Sequence, residues 1–171
     1  MYYIAIDPSG SFNEGKGHTG MSIIKDWDYD TLEVISFDAN KYESRLEYWN
    51  AIINTILKYP VNETHVVIES FTIRTNGFLM GKMPETMLFI GAISYVLETL
   101  KYRFVFQSPS QAKSRFKDEY LDKYIPGYVK KGDYFYINSK KTNDHIRDSL
   151  KHLIYYQKYG GWFKWVNIKK L

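Results

Sequence analysis

Three carboxylates occupy positions from which a sheet and a helix could bring them together. Asp7 ends a predicted strand over residues 2–7, and Glu69 directly follows the apolar run 66–68. Asp148 falls on a predicted last helix that begins near Thr142-Asn143-Asp144 and ends near Tyr156. Asp144 and His145 precede Asp148 by four and three residues, so they share its helix face. If the two strands are neighbours and the helix crosses them, these five side chains converge.

Such a cluster of carboxylates needs positive charge. A lone buried carboxylate is costly, and several together raise one another's pKa. Mg²⁺ prefers oxygen ligands, and two such ions can activate a water and stabilise the leaving oxygen of a phosphodiester. We therefore expect a Mg²⁺ site formed by Asp7, Glu69 and Asp148. Separate structural roles are the alternative: Asp7 in a turn before Pro8, Glu69 paired with Arg74, and Asp148 on the surface.

The elements that would position these residues follow an α/β order. Alternating and apolar runs predict strands over residues 2–7, 21–25, 32–37, 66–68 and 103–106. Apolar periodicity predicts helices over residues 41–59, 84–100, a segment from Ser108, and 142–156. On the second helix the expected core face is Leu88, Ala92, Tyr95, Val96 and Thr99. Residues 120–141 show no period and are interpreted as an excursion or a mobile basic loop. The first three strands predict an antiparallel meander, and the last two are joined by right-handed crossovers.

Charge is distributed unevenly along the 171 residues. Residues 1–100 carry seven Lys/Arg and 13 Asp/Glu, whereas residues 101–171 carry 16 and six. A basic half is the usual electrostatic feature of a protein that binds a polyanion such as nucleic acid, although a solvated lysine-rich surface is the alternative.

The chain has no cysteine, which excludes a disulfide scaffold, a zinc–thiolate site and a thiol nucleophile. No secretory leader or membrane-spanning run is visible, so we expect a cytoplasmic protein.

Three segments together resemble a known family. Residues 4–10 (IAIDPSG), followed by Thr19-Gly20 and a second strand, resemble the opening of RuvC-type Holliday junction resolvases. Val67-Ile68-Glu69 resembles the strand that carries the family's catalytic Glu. Residues 144–150 resemble the closing Asp-His-x-x-Asp-Ala-Leu motif, with Ser149 where Ala is usual. The match spans residues 2 to about 156, and each motif is short, but their order and separation are fairly specific.

The resemblance implies an RNase H-like fold with a five-stranded mixed sheet, as one domain over residues 1–171 with a basic, aromatic tail at 157–171. It implies a metal-dependent endonuclease that nicks four-way (Holliday) junctions and other branched DNA, leaving 5′-phosphate and 3′-hydroxyl ends. It also implies two Mg²⁺ or Mn²⁺ ions held by Asp7, Glu69, Asp148 and either His145 or Asp144. The family acts as a homodimer in the cytoplasm, and the nearly apolar helix 84–100 suits burial by both core and partner; a fully internal helix is the alternative. The short length and the Lys/Asn/Tyr/Ile usage suggest a bacteriophage version from a phage of a Gram-positive host such as a lactococcus.

Several residues are then expected to contact DNA. Lys113 matches a family lysine near the scissile phosphate, and Phe71 and Ile73 follow the catalytic Glu where the family carries an aromatic that probes the junction; for Phe71 a core position is the alternative. Lys16 lies in a loop that nearly spells a P-loop but has Gly17 in place of the required Ser/Thr. The remaining predicted DNA contacts are basic: Arg74, Lys82, Arg115, Lys117, Lys130 and Lys131.

Two other functions remain open. A non-catalytic nucleic-acid-binding domain would use the basic half and the aromatic tail, because aromatic rings stack on bases. Converging acids count against it, since without a metal they would repel DNA. A nuclease acting on RNA–DNA hybrids is the third possibility, which the closing motif disfavours.

Overall fold

A five-stranded mixed sheet forms the centre of the protein in a computed structural model that describes residues 1–8, 11–12, 17–71 and 85–160. The strands are β1 (Tyr2–Asp7), β2 (His18–Lys25), β3 (Asp28–Asp38), β4 (Thr64–Glu69) and β5 (Arg103–Gln107), in the order β3-β2-β1-β4-β5. The first three are antiparallel, and β4 and β5 continue parallel to β1. The prediction of an RNase H-like mixed sheet is confirmed.

Four helices flank this sheet: α1 (Arg45–Leu57), α2 (Glu85–Thr99), α3 (Pro109–Lys113) and α4 (Asp144–Tyr159). Helix α1 begins later than predicted because the Ser44 side chain accepts from the Glu47 backbone N–H and caps it there. Helix α4 continues three residues beyond the predicted end at Tyr156, into the segment interpreted as tail.

The predicted core face of α2 is confirmed for Ala92 and Val96, which are partly buried against the core, and wrong for Leu88 and Tyr95. The helix buries Phe89, Ile93 and Leu97, whereas Leu88 is 40% and Tyr95 73% exposed. A helix that is apolar on nearly every side offers several stripes at the right spacing, so periodicity alone could not select the one that packs. The exposed side chains also rule out the alternative of a fully internal helix.

Alternation along the strands separates two sides of the sheet. Ile4 and Ile6 of β1 pack with the core formed by α1 and α2, whereas Ala5 packs against Leu153 of α4 on the opposite side. Asp7 has the same parity as Ala5, because successive side chains of a strand point to opposite faces. The acid at the end of β1 therefore belongs to the side covered by α4.

Of the two interpretations of residues 120–141, the excursion is confirmed and the basic loop is wrong, because the segment has regular structure. A 3₁₀ helix (Asp118–Lys123) precedes a second, antiparallel sheet of β6 (Tyr128–Lys131), β7 (Tyr134–Ile137) and β8 (Lys140–Lys141). These strands have only two to four residues, too few for a period to show in the sequence. Their buried side chains join those of α4 in one cluster, which includes Tyr128, Phe135, Ile137, Ile146 and Leu150.

An ion-pair network fastens the 3₁₀ helix to α4. The Asp118 carboxylate lies 2.7 Å from Arg147 Nε and 2.5 Å from Lys151 Nζ. Burial alone would raise the pKa of Asp118, but the hydrogen bonds from Lys151 and Arg147 reverse this and hold the pKa below its ordinary value of 3.8. The ionised form of Asp118 therefore stabilises the fold.

No helix in the described part of the chain has both the length and the apolar character needed to cross a bilayer.

Replacing Asp118 with Asn should lower the free energy of unfolding at pH 7 by about 2 kcal/mol, because two half-buried cations lose their charged acceptor. The folded-state pKa is depressed, so this difference should be complete above the ordinary pKa and shrink as the pH falls through the folded-state value. Urea unfolding of both proteins between pH 3 and 7 measures it. Asp122→Asn, on the exposed side of the same 3₁₀ helix, is the matched control and should change stability little. A pH-independent difference would contradict this account.

Candidate active site

Three polar side chains end three neighbouring parallel strands. In the register of β1, β4 and β5, Ile6 pairs with Ile68 and Glu69 pairs with Gln107. Asp7, Glu69 and Gln107 are therefore one row across the carboxyl edge of the sheet, and all three are buried, with exposures of 6%, 8% and 1%. Ligand sites of open α/β sheets lie at this edge.

Helix α4 crosses the row at close range because β2 carries a glycine there. Gly20 pairs with Asp7, and a Cβ added to Gly20 would lie 2.1 Å from the backbone carbonyl of His145. No other residue fits this approach without a shift of backbone. The Asn143 side chain caps the helix by accepting from the Ile146 backbone N–H. The sequence Thr19-Gly20 thus brings the start of α4, with His145, onto the sheet.

Each of three carboxylates has one oxygen held by a neighbouring side chain. His145 Nδ1 lies 2.7 Å from Asp7 Oδ2, His152 Nε2 lies 3.1 Å from Glu69 Oε2, and Lys151 Nζ lies 2.8 Å from Asp148 Oδ1. All three partners are on α4. The helix therefore fixes the orientation of every carboxylate in the cluster.

The other oxygen of each carboxylate faces one ammonium group. Lys113 Nζ lies 2.7 Å from Asp148 Oδ2, 2.9 Å from Glu69 Oε1 and 3.8 Å from Asp7 Oδ1. Lys113 ends α3, a short helix started by a capping box between Ser108 and Gln111. Three oxygens from β1, β4 and α4 thus converge on a single positive charge.

The two acids of the sheet edge hold protons very differently. Burial raises the pKa of Asp7 from 3.8 to about 6; the neighbouring Glu69 adds to this increase and the hydrogen bond with His145 opposes it. Burial alone would also raise the pKa of Glu69, but the hydrogen bonds with His152 and Asp7 lower it to about 2. Two adjacent carboxylates take up their first proton as a pair. Here that proton resides on Asp7, and Glu69 stays ionised.

The basic groups of the site are held in their charged forms. Burial alone would lower the pKa of Lys113, but the charges of Asp7, Asp148 and Glu69 raise it above its ordinary value of 10.5. The hydrogen bond with Asp7 raises the pKa of His145 above its ordinary 6.5 despite burial. The cluster therefore stabilises positive charge.

The donors fit a hard divalent cation in type, although they surround an ammonium at present. Within residues 1–8, 11–12, 17–71 and 85–160, no three Asp, Glu or His side chains are already arranged as a metal site. The distances of 2.7–3.8 Å from Lys113 Nζ are hydrogen-bond and ion-pair distances, whereas Mg²⁺ binds oxygen at about 2.1 Å.

The structure separates the two candidates for a fourth ligand. His145 reaches Asp7, as above, whereas the side chain of Asp144 is 85% exposed and pairs with Arg147. The shared helix face predicted for Asp144 does not bring it to the cluster, because at the first helical position after the Asn143 cap it turns toward Arg147 instead.

The structure describes six of the ten predicted DNA-contacting residues, and of these Lys113 contacts the carboxylates as above. Phe71 follows Glu69 by two residues and is 40% exposed, so its alternative role as a core residue is wrong. Arg115 and Lys117 are exposed on the segment after α3, and Lys130 and Lys131 are exposed on β6. The other predicted contacts, Lys16, Ile73, Arg74 and Lys82, lie outside the described residues.

Three residues that support the cluster were not predicted from the sequence: Lys151 and His152, which contact carboxylates, and Gln107, which contacts His152. His152 is fully buried and follows Asp148 by four residues, and Gln107 ends β5 as Glu69 ends β4. The four-residue spacing of Asp148 and His152, and the position of Gln107 at the end of a strand, could both have been found in the sequence. The Gln107 amide oxygen lies 2.9 Å from His152 Nδ1, and its buried Nε2 finds no acceptor among the described residues. Turning the amide over lets its NH₂ group donate to His152 Nδ1, while His152 Nε2–H donates to Glu69.

The His152 hydrogen bond should be visible in the titration of Glu69. In His152→Phe the pKa of Glu69 should rise from about 2 by one unit or more, because burial then acts without this donor. Carbon-detected NMR of the side-chain carboxyl measures it. His65→Phe, at the other end of the same strand, is the matched control. An unchanged pKa for Glu69 in His152→Phe would show that this hydrogen bond does not hold the carboxylate.

Comparison with known proteins identifies the fold. No family model and no curated protein sequence matches the chain. Two solved structures of Thermus thermophilus RuvC, one of them in complex with a Holliday junction substrate, superpose with a TM-score of 0.58 at 15% sequence identity. The alignments cover 94% of this chain and 95% and 96% of the two RuvC chains. The chain therefore has the RuvC-like variant of the RNase H-like fold.

Proposed function

We propose that this protein is a divalent-metal-dependent endonuclease that nicks four-way junctions and other branched DNA. One observation carries the proposal: three carboxylate oxygens, from Asp7, Glu69 and Asp148, converge on one cation position at the carboxyl edge of a RuvC-like sheet. The basic second half of the chain and a neighbour bound to a Holliday junction support DNA as the substrate.

Asp7, Glu69 and Asp148 would hold the metal, with His145 beside Asp7. Bound Mg²⁺ or Mn²⁺, two ions in the proposed site, would supply an activated water and stabilise the departing 3′-oxygen. Asp7 has a pKa of about 6 and is mostly ionised at neutral pH, as a ligand must be. His152 and Lys151 keep Glu69 and Asp148 oriented.

The freed Lys113 ammonium is placed to meet a phosphate. It is the terminal residue of α3 and its side chain is 32% exposed, so a rotation takes its charge from the carboxylates toward solvent and DNA. Arg115 and Lys117 extend the same positive segment along the backbone of the DNA. Phe71, exposed just beyond Glu69, is the aromatic proposed to enter the branch point.

Cleavage tests the proposal directly. Asp7→Asn, Glu69→Gln and Asp148→Asn should each reduce the rate of nicking a labelled four-way junction in Mg²⁺ by at least about 10³-fold, and EDTA should abolish nicking by the native chain. Binding of the junction in EDTA should be unchanged or tighter, because negative charge is removed. Asp144→Asn is the matched control from the same helix and should retain cleavage.

Assays on several DNA substrates and on an RNA–DNA hybrid distinguish the proposed function from the hybrid nuclease and from the non-catalytic binding domain. Paired nicks in the four-way junction, with 5′-phosphate and 3′-hydroxyl ends, are expected, together with slower cutting of three-way and flap DNA. Cutting of RNA–DNA hybrid alone would establish the hybrid nuclease instead. Tight binding with no cutting of any substrate would establish a non-catalytic binding domain.

We also propose that the enzyme is a homodimer built on the exposed face of α2. Leu88 and Tyr95 lie two turns apart on that helix and expose 40% and 73% of their surface, away from the core face of Phe89 and Ile93. A two-fold dimer suits a substrate with two opposed strands to cut.

The double change Leu88→Glu and Tyr95→Glu should weaken the dimer at least 100-fold, because it places four charges in an apolar two-fold contact. Light scattering coupled to size exclusion measures the mass across a concentration series. Tyr120→Glu, an exposed tyrosine on the α4 side of the sheet, is the control and should stay dimeric. A native chain that is monomeric at micromolar concentration would refute the dimer.

A further inference from the structure

The second sheet presents one face to the main fold and one to solvent. In its register Tyr128 pairs with Ile137 and Lys130 with Phe135. Paired residues of an antiparallel ladder lie on the same face of the sheet. These two pairs include Tyr128, Phe135 and Ile137, whose buried side chains pack against α4. The residues that alternate with them along the strands therefore form the outer face.

The outer face consists of tyrosines, lysines and one valine. Val129 pairs with Tyr136, Tyr136 with Lys141, and Lys131 with Tyr134. Val129 and Tyr134 are 42% and 52% exposed. None of these five positions carries a carboxylate.

Lysine ammonium groups lie against the tyrosine rings. Lys141 Nζ is 3.3 Å from the centroid of Tyr134, and Lys131 Nζ is 5.6 Å from that of Tyr136. Each ring is thus oriented by a cation on the sheet, and the ring of Tyr134 remains about half exposed. Flat rings and positive charges alternate across three short strands.

The second sheet is joined directly to α4, the helix that carries side chains of the candidate active site. The Thr142 backbone N–H and hydroxyl both donate to the Phe135 carbonyl, which closes the sheet immediately before α4. His145 follows Lys141 by four residues, so their Cα atoms are at most about 14 Å apart. The outer face therefore belongs to a segment that joins directly onto α4, the helix that holds the carboxylate cluster.

We propose that this outer face is a stacking platform for unpaired bases of a DNA strand, with Tyr134 and Tyr136 as the rings and Lys131 and Lys141 as the phosphate contacts. Aromatic rings stack on any base, while lysines neutralise the backbone on either side. Duplex DNA presents no free base faces to such a surface. As a part of the proposed nuclease, which this inference presupposes for its role, the platform would hold strands that separate at a branch point.

The test is fluorescence anisotropy with labelled 12-nucleotide single strands and with duplex DNA of the same sequence, on the full chain in EDTA. Tyr134→Leu with Tyr136→Leu should weaken single-strand binding at least about 30-fold and duplex binding less than threefold, since two stacked bases are lost and each contributes roughly 1–3 kcal/mol. Tyr134→Phe with Tyr136→Phe keeps the rings and should bind as the native chain does. Tyr120→Leu, an exposed tyrosine on the 3₁₀ helix, is the matched control.

A second pair of variants tests the lysines without altering the aromatic rings. Lys131→Gln with Lys141→Gln should reduce the dependence of log affinity on log salt for the single strand by about 1.4, since each phosphate contact contributes about 0.7. An unchanged slope would remove these lysines from the interface and overturn the proposal.

Other outcomes overturn the proposal as clearly. If the leucine pair binds single strands as tightly as the phenylalanine pair does, the rings do not stack on bases. If the leucine pair loses the dimer while single-strand affinity is unchanged, the face is a protein interface. Junction cleavage is measured separately. Single-strand binding that depends on the rings, without any cleavage, would support the stacking platform and reject the nuclease. Cleavage with single-strand binding that does not depend on the rings would support the nuclease and reject the stacking platform.

Discussion

Mutual repulsion among Asp7, Glu69 and Asp148 is the constraint around which the rest of the protein is organised. Three carboxylates share a largely buried space, so the fold is stable only with positive charge at their centre. The Lys113 ammonium supplies it. In the proposed nuclease the same three oxygens would bind a divalent cation, and Lys113 would then contact a phosphate.

The positions of the three carboxylates are set by α4 and by the carboxyl edge of the sheet. Parallel register aligns the ends of β1 and β4, and Gly20 lets α4 approach closely enough for its side chains to hold one oxygen of each acid. His152 is the buried member of this set, supported in turn by Gln107. Because the supports come from a single helix, a displacement of α4 would alter every carboxylate at once.

Much of this arrangement could be predicted from sequence because it depends on local patterns. Apolar runs ending in acids located β1 and β4, and helical spacing placed His145 and Asp148 on one face. The face of α2 could not be predicted, because its apolar residues surround the helix and only packing selects Phe89 and Ile93. Likewise β6 to β8 are too short to show a period, and they form because α4 offers an apolar surface. The difference between His145 and Asp144 depended on side-chain direction at a capped helix start, which spacing alone does not determine.

The most direct test of the central claim is anomalous diffraction from crystals of the native chain soaked in Mn²⁺. The account predicts a peak bound by oxygens of Asp7, Glu69 and Asp148 at about 2.2 Å, with the Lys113 side chain turned away from all three. A cluster that stays bridged by Lys113 at saturating Mn²⁺, with no anomalous peak between the carboxylates, would contradict it and leave the three acids a purely structural ion-pair network.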